Sequence, residues 1–212
     1  MSVPLPPLPP TDDSGYRPGG RSVVEIVSEE HRQLTGLCAE LTDPGTDPQR
    51  RREVGEVFTA ALSRHLSAEE QYLIPAARSA LPAGDEVADG ELATDDALLR
   101  GLAALSGTEV TDPAHAGLAG EIAELLGRHV RWVDDTVLPR LRRAARTEEL
   151  IRLGNRLEIA EEAAPTRPHP DTPATPPWNR VVEPALGVVD KVRDAVTGRR
   201  TYPSDLDDPP RQ

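Results

Sequence analysis

The sequence predicts an all-α protein, an up-down four-helix bundle with a short fifth helix and Pro-rich tails. Apolar residues recur every three or four positions between residues 22 and 163, which is typical of amphipathic helices. The 22 prolines crowd residues 4 to 18 and 165 to 210 and leave the middle of the chain almost free of them. Two helical stretches also share one layout, a histidine followed ten residues later by a proline, which indicates an internally duplicated bundle.

The predicted domain organisation follows from this distribution of prolines. Residues 1 to 21 form a Pro/Gly-rich arm that we expect to be disordered, and residues 22 to 163 form the helical bundle. Residues 164 to 212 form a Pro-rich tail, in which helical spacing of apolar residues predicts a short amphipathic helix at about 179 to 197. We expect residues 1 to 20 and 164 to 178 to be mobile and dispensable for stability.

The first helix is predicted from about residue 23 to residue 41. Ser22 is a good N-cap, and Glu25 three residues later completes a capping box. One polar residue, His31, interrupts the inward-facing positions, which are Val24, Val27, His31, Leu34, Cys38 and Leu41. A single buried histidine is more often a core residue bonded to a neighbour than a metal ligand, and on this helix alone both interpretations stay open.

The second helix, from about residue 48 to residue 80, carries the most informative motif. His65 and Glu69 lie one turn apart on the same helix face, in the middle of an otherwise apolar row. An ionised carboxylate without a partner there would cost several kcal/mol, whereas a bound metal cation would compensate its charge. The motif therefore predicts a metal site inside the bundle. Pro75 should kink or loosen the last turns of this helix.

The third helix, at about residues 86 to 105, contains one acidic residue on its apolar face. Asp95 interrupts the row formed by Ala88, Leu92, Leu99 and Leu102, as His31 interrupts that of the first helix. Two interpretations fit this pattern: Asp95 faces the metal site, or it tilts to the edge of the bundle.

The fourth helix, at about residues 114 to 144, places His129 on its inward face. Four residues later, where the second helix has Glu69, this helix has Val133. Asp134 is the next carboxylate, but it lies roughly 140° around the helix from His129. To reach the same centre it needs a local bulge or a position at the seam between two helices. A short fifth helix follows at about residues 147 to 163.

Composition limits the possible partners and location. A net charge of −12 and a pI near 4.9 argue against nucleic acid and anionic membrane surfaces as partners. The N-terminal residues lack the features of a signal peptide, and no apolar run has the length of a membrane span. Cys38, the single cysteine, is interpreted as a small core residue of a cytoplasmic protein.

The motifs favour metal binding over ordinary enzyme catalysis. The sequence has no nucleophile elbow, phosphate-binding glycine loop or Cys/His pair. Ser67 has no base placed to activate it. We therefore do not predict an enzyme.

The order of these motifs resembles the hemerythrin-like HHE cation-binding proteins over roughly residues 22 to 160. The resemblance rests on a lone histidine in the first helix, H-x-x-x-E followed by E-x-Y-L-x-P in the second, and a histidine with acidic residues before V-L-P-R-L in the fourth. Segments 164 to 170 and 189 to 194 are similar to tails of actinobacterial members. The resemblance implies an up-down four-helix bundle with a non-haem di-iron centre, in which histidines are the terminal ligands and two carboxylates bridge the irons.

The family pattern transfers to this chain position by position. His31, His65 and Glu69 match the ligands of the first two helices, and His129 matches that of the fourth. Asp95 stands where the family has a histidine, and Val133 stands where it has the second bridging glutamate. Asp134 can replace that glutamate, so the metal ligands that the resemblance implies are His31, His65, Glu69, Asp95, His129 and Asp134.

These departures leave two functional hypotheses. The first is a protein that binds non-haem iron, in a mononuclear or dinuclear site, to sense, bind or store oxygen, peroxide or iron. The second metal position has fewer nitrogen donors, so a single ion or Zn or Mn occupancy also fits. The second hypothesis is a degenerate hemerythrin fold without metal that serves as a structural or protein-interaction module, for which the sequence names no protein partner.

Overall fold

The computed structural model describes residues 18–170 and 179–207 and contains no β-strand among them. Its helices are α1 (Val23–Thr42), α2 (Pro48–Ala68), α3 (Ile74–Ala80), α4 (Gly84–Ser106), α5 (Pro113–Trp132), α6 (Leu138–Ala144), α7 (Thr147–Ala163) and α8 (Asn179–Thr197). Five-residue π turns, Glu69–Leu73 and Val133–Val137, join α2 to α3 and α5 to α6, and a 3₁₀ turn, Pro203–Leu206, follows α8. The all-α prediction is confirmed.

The bundle consists of four helical segments packed around its core: α1, α2 with α3, α4, and α5 with α6. α1 packs against α2 and α5, while α4 packs against α5 and against α2 with its continuation α3. Because short loops join consecutive helical segments, neighbouring segments run in opposite directions, as an up-down bundle requires. α7, the predicted fifth helix, lies across α1 and α2. No helix in the described part of the chain is long and apolar enough to span a membrane.

Local sequence signals set the helix starts. Ser22 caps α1, and the Glu25 carboxylate accepts a hydrogen bond from the Ser22 backbone at 2.9 Å, so the predicted capping box is present. Asp47 and Asp112 cap α2 and α5 with side-chain oxygens that accept backbone N–H hydrogen bonds, and each directly precedes a proline in the first helical turn. These caps fix where α1, α2 and α5 begin.

The two π turns interrupt helices that the sequence predicts as continuous over residues 48 to 80 and 114 to 144. Pro75 and Pro139 each follow shortly after a π turn and have no backbone N–H to continue the α-helical hydrogen bonds. The backbone responds with a wider turn, in which the amides of Ile74 and Leu138 bond to the carbonyls five residues earlier. The predicted disturbance at Pro75 therefore takes the form of a π turn.

The hydrophobic core is divided into two clusters by a polar layer. Along α1, Val23 to Val27 belong to one cluster and Leu34 to Leu41 to the other, with His31 between them. The same division occurs near His65 on α2 and near His129 on α5. The histidines therefore lie at one level of the bundle, enclosed by apolar packing above and below.

Residues 164–170 are packed on the protein, so the expectation that they are mobile is wrong. Buried Asp190 and Asp194 of α8 bind this segment: Asp194 accepts hydrogen bonds from Thr166 and Arg167, and Asp190 contacts His169 at 3.0 Å. A Cβ at Gly187 would lie 2.1 Å from the Ala163 carbonyl oxygen, so the missing side chain lets α8 approach α7 closely. Residues 1–17 and 171–178, also expected to be mobile, lie outside the described residues.

Candidate metal centre

Three helices each contribute one histidine to the polar layer. His31 lies on α1, His65 on α2 and His129 on α5, and all three are at most 1% exposed. Their ring centroids lie 5.0, 5.2 and 5.5 Å apart, and each pair of rings meets nearly at right angles. The rings therefore point to a common centre rather than stacking on one another.

The Nε2 atoms of these rings converge with the carboxylate of Glu69. His65 Nε2 lies 3.3 Å from His129 Nε2. The two Glu69 oxygens lie 3.6 Å from these nitrogens, Oε1 facing His65 and Oε2 facing His129. One donor atom from each of the four side chains lies within 4.8 Å of the others, and we call His31, His65, Glu69 and His129 the central donors.

On the opposite edge of each ring, a carboxylate contacts Nδ1. Asp134 lies 2.8 Å from Nδ1 of His31, and Glu30 lies 2.9 Å from that of His65. Glu91 contacts His129 Nδ1 directly, and Asp95 lies 3.3 Å from the same atom. We call Glu30, Glu91, Asp95 and Asp134 the outer carboxylates. When Nδ1–H donates to such a carboxylate, the Nε2 lone pair of a neutral imidazole is left facing the centre, an arrangement typical of metal-binding histidines.

Burial shifts the pKa values of the central donors. Desolvation lowers the pKa of His31 to about 4 and that of His65 well below its usual range, which keeps both rings neutral. Desolvation likewise raises the pKa of the Glu69 carboxyl well above normal. For His129, burial opposes protonation, but the Asp95 and Glu91 carboxylates beside its Nδ1 favour the charged ring and raise the pKa well above normal. The centre thus disfavours an unpaired charge on Glu69.

Several polar atoms of this layer are buried without a hydrogen-bond partner. They include His31 Nε2, both carboxylate oxygens of Glu69 and both of Asp95. Leaving such groups unpaired costs roughly 1–3 kcal/mol each, and more for charged groups. A cation at the centre of the layer would satisfy His31 Nε2 and Glu69 together. Imidazole nitrogens with a carboxylate suit Fe, Mn or Zn better than Ca²⁺ or Mg²⁺, which prefer oxygen ligands.

A solvent cleft approaches the centre from the side of α7. It has a volume of about 350 Å³ and is lined in part by Glu30, His65, Glu161 and Arg64. Desolvation raises the pKa of Glu30 to about 7, and that of Glu161 to about 9. These two carboxyls also share a hydrogen bond. His65, one of the central donors, lines this cleft, yet its side chain is almost fully buried.

The six residues singled out in the sequence occupy two places in the structure. His31, His65, Glu69 and His129 are the central donors, whereas Asp134 and Asp95 are outer carboxylates. Asp95 is fully buried, so it does not tilt to the edge of the bundle. Asp134 lies at the seam with α1, where it contacts His31.

Sequence reasoning missed Glu30 and Glu91. Glu91 precedes Asp95 by one helical turn, so the spacing did carry a signal on that face. The inward positions of α4 are Ala88, Glu91, Asp95, Leu98 and Leu102, not the row through Leu92 and Leu99. Glu30 carried no such signal, because its role depends on how α2 and α7 pack beside it.

Comparison with known proteins identifies the family. The family model described as the hemerythrin HHE cation binding domain matches residues 22–141. The chain belongs to this hemerythrin family. The match begins at the cap of α1, ends within α6 and covers more than half of the 212 residues, so it includes all central donors and outer carboxylates. No curated protein and no solved structure matches the chain. Family membership implies a metal-binding helical domain.

Proposed function

We propose that this protein binds non-haem iron through His31, His65, Glu69 and His129 and uses it to sense, bind or store oxygen, peroxide or iron. The observation that carries the proposal is the convergence of one ring nitrogen from each of three histidines and one carboxylate in a buried layer. Membership of a cation-binding family and the unpaired state of Glu69 and His31 Nε2 support it. The single buried cysteine supports a reducing, cytoplasmic location.

Each residue of the layer has a defined task in this proposal. The central donors hold the ion, and bound iron supplies reversible redox chemistry and affinity for oxygen ligands. The outer carboxylates fix the orientation of each imidazole and strengthen its donor nitrogen. The apolar clusters on both sides of the layer exclude water and keep the helices from separating.

A metal-free structural module accounts less well for this layer. Such a module would be stabilised by an apolar side chain in place of Glu69, because a buried carboxylate without a hydrogen bond destabilises a core. Three converging histidines, each with at least one outer carboxylate at its Nδ1, are difficult to explain by packing alone. The arrangement favours a site maintained for a cation.

Metal analysis of substituted proteins tests the proposal. The full chain and its His65→Gln variant are incubated anaerobically with Fe(II), desalted and assayed for iron, with circular dichroism as a check on folding. His115→Gln is the matched control, because His115 is buried on α5 but lies outside the central donors. We expect iron in wild type and the control and little in His65→Gln. Equal iron in all three proteins, or in none, would overturn the proposal.

A further inference from the structure

The positions of the donor atoms around the centre limit how many metal ions one chain can bind. The family resemblance implies two bridged irons, which require two sets of ligands. We infer that this centre takes a single transition-metal ion and has no second ion position. The inference rests on the proposed metal-binding function and concerns the nuclearity of the same site.

The donors of the centre face one point. His65 Nε2 and His129 Nε2 are separated by 3.3 Å, and the Glu69 oxygens face these same two nitrogens, each at 3.6 Å. Metal–nitrogen bonds of about 2.1 Å place neighbouring ligands of one ion roughly 3 Å apart, so nitrogens separated by 3.3 Å, with the Glu69 oxygens beside them, fit a single ion. To bridge two ions, one oxygen would have to face a second set of donors.

The space beyond Glu69 offers almost no donors for another ion. A small pocket there has room for about 10 Å³ and is lined, besides Glu69 and Glu91, by hydrophobic side chains. They are Leu73, Ile74, Ala77, Val87, Ala88, Trp132, Val133 and Val137. Glu91 is already bonded to Nδ1 of His129. The apolar wall therefore closes the direction in which a bridge from Glu69 would extend.

The outer carboxylates do not form an independent second site. Two further groups have donor atoms within 4.8 Å of one another: Glu91, Asp95 and His129, and Glu30, His65 and Glu161. In each group the histidine atom that contacts a carboxylate is Nδ1. An ion held in either group together with one at the centre would need both nitrogens of the shared histidine as ligands, so that ring would have to lose both N–H protons. A neutral ring with one nitrogen bonded to the carboxylates and the other facing a single ion avoids this cost.

Metal stoichiometry tests the inference. The full chain is titrated anaerobically with Fe(II), and separately with Mn(II), by isothermal calorimetry, and bound metal is counted after desalting. We expect one ion per chain at saturation and an electron paramagnetic resonance spectrum of isolated Mn(II) without spin coupling. Two ions per chain, or a coupled pair, would overturn the single-ion inference alone. Zero ions would overturn the metal-binding proposal itself.

Asp95→Asn separates an orienting role from a ligand role in the same experiment. If Asp95 only supports His129, the variant keeps one ion per chain and binds it about 10–100-fold more weakly. If Asp95 holds a second ion, the count falls from two to one. Asp96→Asn is the matched control, because Asp96 lies next to Asp95 but pairs with Arg100 on the outer surface of α4. It should change neither the count nor the affinity.

Discussion

Glu69 and Val133 occupy equivalent places in the two halves of the bundle. Each follows its histidine, His65 or His129, by four residues and is the first residue of a five-residue π turn. Both are at most 1% exposed, and both line the same small pocket. One half of the duplicated motif therefore has a carboxylate at the position where the other half has an apolar side chain.

This relationship predicts the effect of Val133→Glu. The new carboxylate would enter an apolar wall, so without metal the variant should be less stable than wild type by about 3–5 kcal/mol. With two carboxylates facing each other, a cation should stabilise the variant more than it stabilises wild type. Melting temperatures of both proteins, each with and without anaerobic Fe(II), measure this difference.

Val137→Glu is the matched control for that experiment. Val137 is buried in the same π turn and lines the same pocket, but it is one turn farther from His129. It should be destabilised as strongly and gain no additional stabilisation from Fe(II). If Val133→Glu behaves like Val137→Glu, Val133 does not occupy the place of a bridging carboxylate.

Glu69 should reduce the stability of the metal-free protein. Its carboxyl is fully buried without a hydrogen-bond partner, and desolvation raises its pKa well above the usual range. We predict that Glu69→Met, which keeps the side-chain volume, raises the free energy of unfolding of the apo protein by about 1–4 kcal/mol. The same variant should lose the increase in melting temperature on adding Fe(II). A less stable apo variant would show that Glu69 stabilises the fold without a cation.

Asp134 should act on the metal through His31. Because its carboxylate lies 2.8 Å from Nδ1 of that ring, Asp134→Asn should weaken metal binding by about 10–100-fold and leave the number of bound ions unchanged. Asp135→Asn, an exposed neighbour, is the control and should bind as wild type does. Isothermal calorimetry gives both quantities. A loss of bound ions in Asp134→Asn would instead make Asp134 a direct ligand.

The central donors were accessible from sequence because each interrupts a regular apolar row. His31 and His129 occupy positions that the helical period assigns to the core, and His65 and Glu69 share one face, so their convergence needs only a bundle. The sequence could not show which carboxylates face the metal and which contact Nδ1 of a histidine. Asp95 and Asp134 were predicted as ligands, but whether a carboxylate faces Nε2 or Nδ1 depends on ring orientation, which the period does not encode.

The π turns and the packed tail depend on contacts that are remote in sequence. Pro75 signalled a disturbance, but a kink, a break and a π turn all relieve the missing hydrogen bond. The segment 164–170 has the composition of a flexible linker, and it is ordered by Asp190 and Asp194, more than twenty residues away. The amino-acid composition of a segment indicates its local conformational preference, but it carries no information about contacts with residues that are remote in sequence.

Asp194 should hold α8 on the bundle. It is 5% exposed and contacts Thr166, Arg167 and Arg199, so Asp194→Ala would leave buried donors unpaired. We predict a local loss of about 3 kcal/mol, seen as faster amide hydrogen exchange in α8 with unchanged exchange in α1. Asp207→Ala, at an exposed position after α8, is the control. Unchanged exchange in α8 of Asp194→Ala would contradict this role.

X-ray absorption spectroscopy of the iron-loaded full chain tests the central claim most directly, because it counts the ligands of the ion. We expect three imidazole ligands, with their characteristic outer-shell scattering, oxygen ligands from Glu69 and solvent, and no iron–iron scattering. His115→Gln should give the same spectrum, and His31→Gln should lose one imidazole. An oxygen-only shell, or a single imidazole in the wild-type protein, would contradict a centre built from His31, His65 and His129.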